Sequence, residues 1–111
     1  MPQLIMFYKL KTKSTIKKAN SFDKNEKTRI ANLINTEIES IGRISDTKND
    51  EEYDLFMKEK LILYGKNARA SSSETFSTWY LLLELFCLSH FKGDRENAEL
   101  IVDWVYDNKD R

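Results

Sequence analysis

The chain has 111 residues, enough to bury one core without the disulfides or metals that much shorter chains require. Hydrophobic residues make up 41% and charged residues 32%, a balance too apolar for a disordered chain. Net charge is zero, and three glycines with one proline are too few turn signals for a sandwich or barrel, which leaves long helices.

A single cysteine, Cys87, excludes an intramolecular disulfide and any zinc site built on paired cysteines, and it suits a reducing, cytoplasmic setting. Charge is segregated along the chain. Residues 1–22 carry Lys9, Lys11, Lys13, Lys17 and Lys18 with no acid, whereas residues 44–111 carry a net −5. Read linearly, this is a basic head on an acidic body.

The first segment is ambiguous. As a helix, Leu4, Ile5, Tyr8, Ile16 and Ala19 share a face; as a strand, Leu4, Met6, Tyr8 and Leu10 alternate with Ile5, Phe7, Lys9 and Lys11. Helix is favoured, because a lone strand in a helical chain would leave its edges unpaired. The run Leu4–Tyr8 precedes the lysines and is short, the reverse of a secretory signal.

A second helix is expected from Asp23 to Gly42. Asp23 and Glu26 make a capping-box-like start, Ile30, Leu33, Ile34, Ile38 and Ile41 form the stripe, and Gly42 is a natural stop. After a polar turn at 45–49, a third helix is expected from Asp50 or Glu51 to Tyr64. Acids at its start suit the helix dipole, Tyr53, Phe56, Met57, Leu61 and Tyr64 face inward, and Gly65 ends it. A loop over 66–73 follows, closed by a second capping box of Ser71 with Glu74.

The stretch 74–91 is apolar on nearly every side, from Phe76 and Trp79 through Leu81, Leu82, Leu83, Leu85, Phe86, Cys87 and Leu88 to Phe91. Such a helix is central to a domain or lies in a membrane. Spanning requires about 20 continuous apolar residues. Ser77, Thr78, Glu84, Ser89 and His90 interrupt this shorter run, so it is assigned to the core. Gly93 and Asp94 provide a stop and a new cap. The last helix, about 95–107, places Ala98, Ile101, Val102 and Val105 on one face, with Leu100 and Trp104 widening the arc. The expected architecture is mainly all-α: one domain over residues 1–111, a compact bundle of four to five helices around the helix at about 74–91.

Few residues suggest chemistry. Cys87 and His90, three apart on a helix, have the spacing of a thiolate–imidazole pair, but an apolar setting raises a thiol pKa and silences it. Their simpler role is structural. Asp46, Lys48, Asp50, Glu52 and Asp54 alternate as a calcium loop begins, yet a lysine occupies the third position and Glu51 stands where glycine is required. Phosphate loops, nucleotide fingerprints and zinc-protease patterns are missing, so no catalytic residue, metal or cofactor is assigned.

Binding is the expectation that remains. The five lysines, with Phe7 and Tyr8 to stack on bases, make a nucleic-acid patch possible, although the segment lacks arginine and the acidic remainder repels a polyanion. An acidic surface would steer towards a basic protein instead. In size and in lacking a catalytic motif, the chain is similar to bacterial immunity proteins and antitoxins, a likeness of general character carried by no motif. That likeness implies a stoichiometric inhibitor of a basic, nuclease-like toxin. Asp50, Glu51, Asp54, Glu96, Glu99 and Asp103 would engage the partner, with Tyr53 or Trp104 as an aromatic anchor. The alternatives are a nucleic-acid-associated protein using the lysine-rich N-terminus, or a helical subunit of a larger assembly.

Overall fold

The computed structural model describes the backbone of residues 2–47 and 49–109, and the side chains of residues 8–43, 46 and 49–109. Five helices follow one another: α1 (Pro2–Ala19), α2 (Lys24–Thr47), α3 (Asp50–Ala70), α4 (Glu74–Lys92) and α5 (Arg95–Asn108). Among the described residues there is no strand. Helix α4 packs against each of the other four. Its Leu82, Leu83, Leu85, Phe86 and Cys87 are all buried. The all-round apolar helix is therefore the centre of the bundle, as its composition demands. No helix among the described residues is long and apolar enough to cross a membrane.

The N-terminal segment is a helix. Thr12, Thr15 and Ala19 are buried and Tyr8 and Ile16 pack against the core, which is the spacing of one helical face. The two inward threonines cause no unmet polar demand, because their hydroxyls donate to the carbonyls of Tyr8 and Lys11, each at 2.7 Å. Successive helices alternate in direction. The end of α1 meets the start of α4 through Lys18 and Glu74, the start of α3 meets the end of α4 through Tyr53 and His90, and the end of α5 meets the α1–α2 turn through Trp104 and Asn20.

Two caps match the residues expected, at Asp23 and Asp94, and Asn49 supplies a third. Asp23 accepts from the Glu26 amide at 2.9 Å, Asn49 from the Glu52 amide at 2.9 Å, and Asp94 from the Asn97 amide. Gly93 closes α4 in the left-handed region, with φ of 75°. The second capping box does not form. Ser73, not Ser71, is the N-cap of α4, and the Ser71 hydroxyl instead donates to the Ser73 carbonyl at 3.2 Å.

Gly42 and Gly65 do not end their helices. Helix α2 runs on to Thr47 and α3 to Ala70, and neither glycine has a positive φ. Ile41 is still buried beside Gly42, so packing carries the helix through at the modest cost of a mid-helix glycine. Gly65 has a further reason to be small. The Glu84 carboxylate of α4 lies over it, and a Cβ at position 65 would collide with that oxygen. A carboxylate on the otherwise apolar α4 is thus accommodated by a missing side chain on α3.

Substituting Gly42 by Ala, where nothing lies within 4 Å of the added carbon, should stabilise the protein by about 0.5–1 kcal/mol in urea denaturation. Gly65→Ala should gain less or lose, because Glu84 has to move. In a Glu84→Ala background the difference between the two glycine sites should largely vanish.

Candidate protein-binding face

Helix α5 is two-sided. Asn97, Ile101, Trp104, Val105 and Asn108 are buried on its inner side. Glu96, Glu99, Asp103 and Asp107, spaced three and four apart, are exposed on the outer side as one ridge. Tyr106 stands beside the ridge at 63% exposure, with the Lys109 ammonium 4.8 Å from its ring centre. Among the described residues, no ion pair reaches Glu99, Asp103 or Asp107. Asp103 and Asp107 also edge a cleft of about 370 Å³ between α5 and the α1–α2 turn, with Lys27 on its other wall.

Glu96 is different, because Lys9 of α1 contacts it at 2.6 Å. The bond raises the lysine pKa and, with help from Lys13, lowers that of the carboxylate. The pair is open to water and contributes little to stability. Its consequence is for the surface charge, since the basic segment lies against the acidic one. Lys18 is likewise paired with Glu74 at 2.8 Å, while Lys11, Lys13 and Lys17 are exposed on α1. Lys11 and Lys18 flank a smaller groove of about 240 Å³ against Ser77 and Leu81 of α4. The side chain of Phe7 lies outside the described residues.

Asp50, Glu51 and Asp54 are exposed on the first turns of α3 and Glu96, Glu99 and Asp103 on α5. The structure therefore presents these six acids on two helices, both packed on α4. The two aromatic anchors are placed differently from a surface role. Trp104 is only 3% exposed, and its indole N–H donates to the Asn20 side-chain carbonyl at 2.8 Å, so it serves the core. Tyr53 is half-buried, and its hydroxyl lies 2.5 Å from His90 Nδ1. Tyr106, another aromatic that could reach the surface by its sequence, is the open one on the acidic side.

Cys87 is fully buried, and burial pushes its thiol up to about 12, with Lys60 pulling the other way. His90 is engaged by Tyr53 and sits 5.7 Å from the Phe86 ring centre. The pairing that the three-residue spacing suggested is replaced by a Tyr–His contact between α3 and α4. A second polar group ties α3 to α2. Glu37 accepts from the Tyr64 hydroxyl and from Lys60 Nζ, the latter at 3.2 Å. Burial, then the bond to Glu37, raises the Tyr64 pKa. Helical spacing alone shows neither link, because both are contacts between helices far apart in the chain. Lys48 of the alternating acidic run lies outside the described residues. Among the described residues, no three His, Cys, Asp or Glu are grouped to hold a metal ion.

Compared with known protein families, curated proteins and solved structures, the chain matches none.

Desolvation holds the His90 pKa below its ordinary 6.5. Below pH 6.5 the unfolded chain therefore takes up a proton that the folded chain resists, and stability declines as the pH is lowered until the folded imidazole itself titrates. NMR titration of this single histidine should give a midpoint under 6.5 that moves back towards 6.5 in Tyr53→Ala. His90→Gln should flatten the decline in stability between neutral pH and the folded midpoint.

Proposed function

We propose that this chain is a non-catalytic protein-binding inhibitor, of the immunity-protein kind, that neutralises a basic toxin by one-to-one contact. The observation that carries it is the α5 ridge: Glu99, Asp103 and Asp107 exposed in line without a cationic partner among the described residues, beside an open Tyr106. A row of carboxylates on a rigid helix raises the encounter rate with a basic surface and disfavours acidic ones. A tyrosine at its edge offers stiff apolar area with a polar tip, the composition found at energetic centres of interfaces. The chain's nucleophile candidate is unsuited to chemistry at neutral pH, given a buried thiol held near 12. Lys9 and Lys18 are engaged by carboxylates, which weakens the competing nucleic-acid patch.

Co-expression with the product of a neighbouring gene, followed by capture on a tagged form of this chain, tests the proposal. The expected result is one-to-one capture of a basic protein whose toxicity is suppressed. Reversing Glu99, Asp103 and Asp107 to Lys together should weaken that complex by about 10-fold or more and flatten its salt dependence. Unchanged affinity after the triple reversal would remove α5 from the interface. Co-purifying nucleic acid that high salt strips away would replace the proposal with the lysine-rich alternative.

A further inference from the structure

Helix α3 packs chiefly on α4, and its outward side carries apolar residues that the bundle does not cover. Leu55 is 60% exposed, Ile62 68% and Leu63 47%. Single exposed leucines are ordinary on protein surfaces. These three are not scattered: Leu55 and Ile62 lie seven residues apart, two helical turns along one line, and Leu63 broadens the line on one side. Opposite them, Met57, Tyr64 and Gly65 are buried against the bundle, so the apolar line points directly away from it.

The charges on the same outward side are sorted by end. The first turn holds Glu51, the second half holds Lys66 and Arg69, and Lys58 and Glu59 lie between, all exposed. A face that is acidic at one end and basic at the other, with an apolar line and one base and one acid beside it between them, is complementary to itself when reversed. We propose that this face of α3 is the seam of a two-fold symmetric, antiparallel dimer of this chain.

One register pairs the apolar line with itself and opposes unlike charges beside it. Placing Leu55 against Ile62 of the second copy sets Glu51 against Lys66 and Lys58 against Glu59, and symmetry repeats each pair. All six residues are exposed in the single chain. Lys58 now lies over the Phe91 ring at 5.8 Å, a weak contact it exchanges for a carboxylate. Opposed charges flanking an apolar seam set orientation and register in helix pairs of this type. A different partner would have to reproduce the same reversed order of charges, whereas a second copy supplies it by symmetry. The dimer uses α3 and leaves the α5 ridge open, so it stands whether or not α5 binds a toxin.

Sedimentation equilibrium on the whole chain, from about 10 μM to 1 mM, tests this. The apparent mass should climb from the monomer value towards twice it. Ile62→Glu should weaken association by about 10-fold or more at unchanged helix content by circular dichroism. Glu51→Lys should also weaken it, by facing Lys66, and adding Lys66→Glu should restore it. The α5 triple reversal should leave the dimer intact. A wild-type chain that stays monomeric throughout, or a folded Ile62→Glu variant that associates as well as wild type, overturns the proposal. So does failure of the double charge swap to recover association, or a monomer that captures an unrelated protein through Leu55 and Ile62.

Discussion

Helix α4 is apolar around almost its whole circumference, and such a helix is stable in water only when other elements enclose it. The four remaining helices each do so, and their arrangement follows from that need. Every covering helix turns one stripe inward and must leave the other side outside. Two of the polar groups on α4 are accommodated locally. Thr78 donates to the Glu74 carbonyl at 2.9 Å, and Glu84 lies over the bare backbone at Gly65. The cost of a mid-helix glycine in α3 is thus tied to a carboxylate in α4. Tyr64 and Lys60 of α3 reach Glu37 and join α3 to α2.

Alternating helix directions also decide the surface charge. Read along the chain, basic and acidic residues are far apart. In the bundle, α1 lies beside both α4 and α5, so Lys9 meets Glu96 and Lys18 meets Glu74. Neither pair is worth much in free energy, being exposed. Together they convert an apparent basic head into a partly neutralised flank. On the outer side of α5, Glu99, Asp103 and Asp107 keep no ion pair among the described residues.

Legibility from sequence tracked locality. Caps at Asp23 and Asp94, the stop at Gly93 and the central position of α4 all depend on a few neighbouring residues, and all four were readable. Gly42 and Gly65 were misread as stops because a glycine permits a left-handed turn without requiring one. Packing on either side decides, and Gly93 alone takes that conformation. The misreading had a further effect. With α3 ended at Tyr64, its basic second half was assigned to a loop, and the outward line of Leu55 and Ile62 between opposite charges was not visible. The acidic residues were assigned to the right two helices, but the packing of both on α4 depends on contacts that no local pattern reports. Trp104 illustrates the same limit. Its burial is set by Asn20, 84 residues away, and no local pattern reports that.

The two outward faces have a joint consequence. Helices α3 and α5 both pack on α4, so a seam along α3 and a ridge along α5 would be held at a fixed separation by the core between them. A two-fold dimer through α3 would then carry two identical α5 ridges with defined spacing and opposed orientation. For a partner with one basic site, the dimer would add no affinity per site and would simply bind two copies. For a partner that is itself paired, the second contact would be intramolecular and the gain would depend on whether the spacings match. An exposed apolar line on α3 would otherwise be a standing liability for non-specific association. Self-complementary charges restrict that association to one register and one closed pair, which ends assembly at two chains.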